Sequence, residues 1–182
     1  MKLRPKATAK QQEDLPSALA QAIDHLRNER LDQAEPALLA ILKRWPDQPD
    51  AMHFLGVLRH TQGRVDDAVA LIRAALTLVP SLPSAWNNLG NVLQLARRSD
   101  EAAEAYDHAL QHAPHAADRA MALNNLGLLH RRLKRLDSSE MAFRRALEQL
   151  PDYGVDGAIV RVSQYFSEYC RFSGLKSTCS TW

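Results

Sequence analysis

Residues 83–116 read PSAWNNLGNVLQLARRSDEAAEAYDHALQHAPHA, and the chain repeats this stretch. Pro114 near its end is matched by Pro80 and Pro46 at steps of 34 residues, and by Pro151 after a step of 37. Gly90 is matched by Gly56, each in a Leu-Gly pair ten residues after one of those prolines. A fixed period of this length means stacked supersecondary units rather than one globular core.

Within 83–116, Ala85, Trp86, Leu89, Val92 and Leu93 fit one helical stripe, and Ala102, Ala103, Tyr106, Ala109 and Leu110 fit a second. Between them runs Arg98-Ser99-Asp100, and the same Arg-x-Asp spacing returns at Arg30-Leu31-Asp32, Arg64-Val65-Asp66 and Arg135-Leu136-Asp137. The spacing predicts two helices around a short turn, with the aspartate as N-cap of the second helix, its carboxylate accepting from free backbone N–H groups. Asp32 with Glu35, and Asp137 with Glu140, have capping-box spacing. The recurring proline should end each second helix, because it cannot continue one and restricts the residue before it.

Working outward, the frame gives four units, 15–48, 49–82, 83–116 and 120–153. With the glycine as position eight, that position holds Ala22, Gly56, Gly90 and Gly127. Position twenty-four holds Leu38, Ile72, Tyr106 and Phe143. Small residues facing large ones let antiparallel helices interlock. The insertion at 117–119 predicts about one extra turn at the start of the fourth unit's first helix. Residues 1–14, with Lys2, Arg4, Lys6 and Lys10, are expected to be a disordered basic tail. Val155, Ile159, Val162, Phe166 and Tyr169 form a stripe that predicts a capping helix over 154–172, followed by a flexible Ser/Thr-rich tail over 173–182.

Composition excludes several classes of function. Apolar residues are 46% of the chain, enough for a packed interior, and the formal net charge of +2 lacks a basic nucleic-acid footprint. No apolar run follows the basic start, so neither a secretory signal nor a membrane span is expected, and the reading is cytoplasmic. Two cysteines, Cys170 and Cys179, are too few for a disulfide framework. No nucleotide loop, nucleophile elbow or zinc motif occurs, so the chain reads as no enzyme and as needing no cofactor. His108, His112 and His115 have a spacing that suggests a metal, but Pro114 interrupts the helix and no carboxylate or thiol joins them. They read as exposed helix-end histidines.

The pattern of 83–116 resembles the tetratricopeptide repeat (TPR) family, whose motif runs W-x2-L-G-x2-Y and then A-x3-F-x2-A-x4-P. Trp86, Leu89, Gly90, Ala102, Tyr106, Ala109 and Pro114 match it, with Leu93 in the tyrosine slot. The resemblance implies an all-α right-handed α-solenoid of four helix-turn-helix repeats plus a C-terminal capping helix, with first helices lining a concave groove. It places Asn87, Asn88, Asn91, Gln94, Asn124, Asn125, Arg131 and Arg132 on a polar wall, and His53, Phe54 and His60 on the wall of the second unit. Asparagine both donates and accepts, so a row of them can hold an extended peptide backbone without reading its side chains. The arrangement is similar to the asparagine ladder of O-GlcNAc transferase superhelices, with Asn88 and Asn125 at its position. The other reading of these asparagines is that they are solvated or bond neighbouring helices. The carboxylate clamp that holds chaperone tails is matched only at Asn88, so that partner is disfavoured. His53 and His60 share a helix face and read as ordinary groove lining rather than a pH switch.

Three classes of function remain: a non-catalytic scaffold binding a protein or extended peptide, acidic where Arg131 faces the groove; a substrate-presenting module of a glycosyltransferase or sulfotransferase; and a structural module that self-associates weakly through an uncapped end.

Overall fold

The computed structural model describes residues 9–150, with side chains from residue 15 onward. The expected capping helix at 154–172, the tail at 173–182 and both cysteines lie outside the described residues. Eight α-helices and no strand occupy the described residues, so the fold is all-α. They are α1 (Ala9–Arg27), α2 (Leu31–Arg44), α3 (Pro49–Thr61), α4 (Val65–Leu78), α5 (Pro83–Leu95), α6 (Ser99–His112), α7 (Ala116–Arg132) and α8 (Leu136–Gln149). Helix α1 starts at Ala9, inside the stretch expected as a basic tail. The described residues form two compact units, divided between Arg98 and Ser99.

In the first unit, α1 packs on α2 and α3, and α3 packs on α2, α4 and α5. The helices start and stop where the backbone chemistry requires. Pro49 and Pro83 open α3 and α5, where a missing N–H is not needed. Helices α2 and α4 end just before Trp45-Pro46 and Val79-Pro80, and Trp45 (φ −127°) and Val79 (φ −133°) have left the helical region. The indole N–H of Trp86 donates to the Pro80 carbonyl at 2.7 Å, tying α5 to the proline of the preceding repeat. Ala22, Ala34, Leu38, Ile41, Ala51, Leu55 and Leu58 form one buried cluster. A Cβ placed on Gly56 would lie 2.6 Å from Cγ1 of Ile72 and 3.2 Å from the Ala68 carbonyl, so α3 and α4 meet with room only for glycine.

In the second unit, α6 packs on α7 and α7 on α8. Here a Cβ on Gly127 would lie 2.6–2.9 Å from three ring atoms of Phe143. The Ser139 hydroxyl donates to the Gly127 carbonyl at 2.9 Å within the same contact. Helix α7 has 17 residues against 13 in α3 and α5. Its added first turn carries Arg119, which donates to Gln149 Oε1 at 2.7 Å and to the Ala113 and Pro114 carbonyls at 3.1 and 3.2 Å. The inserted turn thus braces the end of α8 against the α6–α7 loop.

The turns correct the expected caps. Glu29, Gly63, Arg97 and Lys134 take left-handed φ of 55°, 75°, 59° and 59°. Each following arginine then donates its backbone N–H five residues back: Arg30 to His25, Arg64 to Arg59, Arg98 to Leu93 and Arg135 to His130. This is a Schellman closure, and it makes Arg30, Arg64 and Arg135 the N-caps of the next helices, with no side-chain cap bond. Asp32, Asp66, Asp100 and Asp137 therefore stand inside the first turn, where their charge favours the helix dipole, and not at the N-cap. Neither capping box forms. Glu35 turns to Arg59 and Gln62, and Glu140 pairs with Arg144 at 2.6 Å.

Candidate functional site

The polar residues singled out from the sequence stand on the first helix of each repeat. On α5, Asn87, Asn91 and Gln94 recur at i, i+4 and i+7 and so share a face, with Asn88 beside them. Asn88, Asn91 and Gln94 are half-buried. Asn87 is only 4% exposed, so its side chain belongs to the packed interior rather than to an open wall.

The same correction applies to His53 on α3, which is 2% exposed. Burial pushes its pKa down to about 4, so the imidazole is neutral at pH 7. Its Nε2 lies 2.8 Å from Nδ2 of Asn88. With the amide oriented this way its nitrogen donates, which goes with the Nδ1–H tautomer of His53 and leaves Nε2 as the acceptor. Phe54 tilts against the same ring at a centroid distance of 4.8 Å. His60, near the C-terminal end of α3, is half-buried. The structure thus brings His53 and Asn88 together as a pair, one repeat and one residue apart.

Beside that pair, the α3 surface is held by charge. Nη1 of Arg59 donates to Glu35 Oε1 at 2.5 Å and to Gln62 Oε1 at 2.8 Å, and Gln62 Nε2 donates to Glu35 Oε2 at 2.8 Å. Hydrogen bonds from Gln62 and Arg59 hold the Glu35 carboxyl below its usual range. The sequence reading missed this network. The signal was the register: Glu35 at position twenty-one of one unit faces Arg59 at position eleven of the next. One repeat later those positions hold Val69 and Leu93, both buried. A charged pair at one step and an apolar pair at the next fill the same place.

In the second unit, α7 carries Asn124, Asn125 and Arg131, all half-buried. Its last turn is basic, with His130, Arg131 and Arg132, and Lys134 and Arg135 follow. Burial and the Arg135 charge both push the His130 imidazole toward its neutral form. His108 and His112 stack with ring centroids 6.5 Å apart on α6, and His115 is the N-cap of α7. Among the described residues no three His, Cys, Asp or Glu side chains converge to hold a metal. Among them, too, no helix is long and apolar enough to cross a membrane.

The comparisons agree on one family. Two tetratricopeptide repeat models match the chain, at residues 19–83 and 81–152. A peroxisomal targeting signal receptor of Eremothecium gossypii is 38% identical over 66 residues, which span 36% of this chain and 12% of the receptor. The solved structure of Pseudomonas aeruginosa pilF superposes with a TM-score of 0.73 at 23% identity, covering 79% of this chain and 64% of that one. That of MamA superposes at 0.65 with 20% identity, covering 75% of this chain and 78% of its own. The chain spans a small fraction of the curated receptor and about two thirds of pilF.

Proposed function

Because this chain belongs to the tetratricopeptide repeat family, we propose that it is a non-catalytic scaffold that binds an extended segment of a partner protein along the asparagines of its first helices. The observation that carries this reading is the half-buried amides of α5, Asn88, Asn91 and Gln94; in the second unit α7 carries Asn124 and Asn125, also half-buried. Half-buried amides keep polar atoms in reach of a ligand while the helix holds their position, and an amide binds backbone N–H and C=O alike. The similarity to a receptor for a targeting signal supports a protein segment as ligand. Arg131 and Arg132 at the end of α7 favour an acidic segment.

The test is binding of a partner segment captured from host lysate, titrated into wild type, Asn88→Ala and Asn125→Ala. Each ligand hydrogen bond is worth about 0.5–1.5 kcal/mol net, so each variant should bind up to about tenfold more weakly. Asn88→Ala also leaves Nε2 of His53 without its donor, so its melting temperature is measured alongside. Equal affinities for all three proteins remove the asparagines from the account.

A further inference from the structure

We propose that His53 is a positioning residue: by accepting from Nδ2 of Asn88 it turns the Oδ1 end of that amide toward a bound partner, so that Asn88 receives a backbone N–H. The inference rests on the binding reading above and gives it a direction. An asparagine amide rotates by a half-turn at little steric cost, so an isolated one offers a ligand either its donor or its acceptor end. The 2.8 Å contact between His53 Nε2 and Asn88 Nδ2 ties that freedom to the tautomer of the ring. While the ring proton is on Nδ1, rotating the amide would set Oδ1 against a bare ring nitrogen, two acceptors face to face, and would leave Nε2 unpaired in a residue that is 2% exposed. The ring is itself held, tilted on Phe54 at 4.8 Å. Oxygen and nitrogen diverge from the amide carbon at about 120°, so fixing one on His53 directs the other away from it. Burial keeps the imidazole neutral through the physiological range, so one ring nitrogen stays an acceptor there. The ligand this selects is an extended segment with a free backbone N–H opposite Asn88, and a proline at that residue is excluded.

Two measurements on the full chain test it. In the first, imidazole 15N shifts of labelled wild type at pH 7 should show His53 neutral, with its proton on Nδ1. A proton on Nε2 would overturn the inference. In the second, peptides selected against the wild type from a random dodecapeptide display library are titrated into wild type, Asn88→Ala, His53→Leu and His53→Gln. Asn88→Ala and His53→Leu should each bind about tenfold more weakly, the loss of one net hydrogen bond. His53→Gln, whose carbonyl oxygen also accepts from the Asn88 amide, should recover to within about threefold. N-methylation of one peptide nitrogen should weaken the wild type about tenfold and Asn88→Ala hardly at all. If His53→Leu binds as tightly as wild type while Asn88→Ala does not, the positioning role is wrong and the binding site stands. If Asn88→Ala also binds like wild type, the site itself is wrong.

Discussion

Asn-Asn-Leu-Gly occurs twice, at 87–90 on α5 and at 124–127 on α7, and the two copies bury the same leucine and glycine in different surroundings. Leu89 and Leu126 are buried at 3% and 9% exposed, and both glycines are buried. The first asparagine differs: Asn87 is sealed in, whereas Asn124 is half-buried. The second asparagine of the first copy is bonded to a buried histidine of α3. The second copy sits on a helix whose last turn holds three basic residues, and α5 has none in its last turn. The leucine and glycine of the motif serve the helix pair, while neighbouring helices decide what the asparagines do.

The largest effect that would break this comparison is at the glycines. Gly127→Leu puts a side chain where even a Cβ meets the Phe143 ring at 2.6 Å, so it should cost about 3 kcal/mol or more. Gly90→Leu should cost a similar amount, since Gly90 holds the same place in its repeat. Urea melts of both variants check this, and a Gly90→Leu protein as stable as wild type would end the shared packing.

Acid should separate the copies next. The folded-state pKa of His53 is about 4 against an unfolded value of 6.5. Between those values the unfolded chain binds the proton and the native chain does not, so stability is full above 6.5 and is lost as pH falls toward 4. The loss amounts to about 3 kcal/mol by linkage. His53→Gln should remove most of this dependence. The His130 pKa is lowered as well, so His130→Gln should remove a smaller part, as compared by urea melts at pH 7 and 4.5.

A smaller difference lies behind the second glycine. Ser139 is 2% exposed and bonds the Gly127 carbonyl, whereas the same repeat position after Gly90 is Ala102, which has no hydroxyl. Ser139→Ala should therefore cost only about 1 kcal/mol, read as a shift of the urea midpoint with unchanged slope. The smallest effect concerns charge. Arg131→Gln should weaken binding of an acidic segment by less than about 1 kcal/mol at moderate salt, and the difference should shrink as salt rises. Titration at two salt concentrations measures it.

Much of the fold was legible because its signals are local. A proline stops a helix wherever it falls, and a glycine set against Ile72 or Phe143 follows from the register of one helix pair. The turns were less legible. Three of the four left-handed residues are Glu29, Arg97 and Lys134, which carry no mark of that conformation, so the sequence points instead to the aspartates three residues on as caps. Of the candidate site, the asparagine positions came from the resemblance to the repeat family, and the burial of His53 and Asn87 carried no sequence signal.

The sequence by itself determined the helical pairing within each repeat, the prolines that end the second helices and the contacts of Gly56 with Ile72 and Gly127 with Phe143, because these depend on residues within one period of 34. Tertiary structure alone decided that Glu35 leaves its own helix for Arg59, that Arg119 braces α8, and that His53 is closed off from water and bonded to Asn88. Each of these is a competition among polar partners of similar strength. Which partner wins depends on the dielectric and the distances that appear only once neighbouring helices are packed.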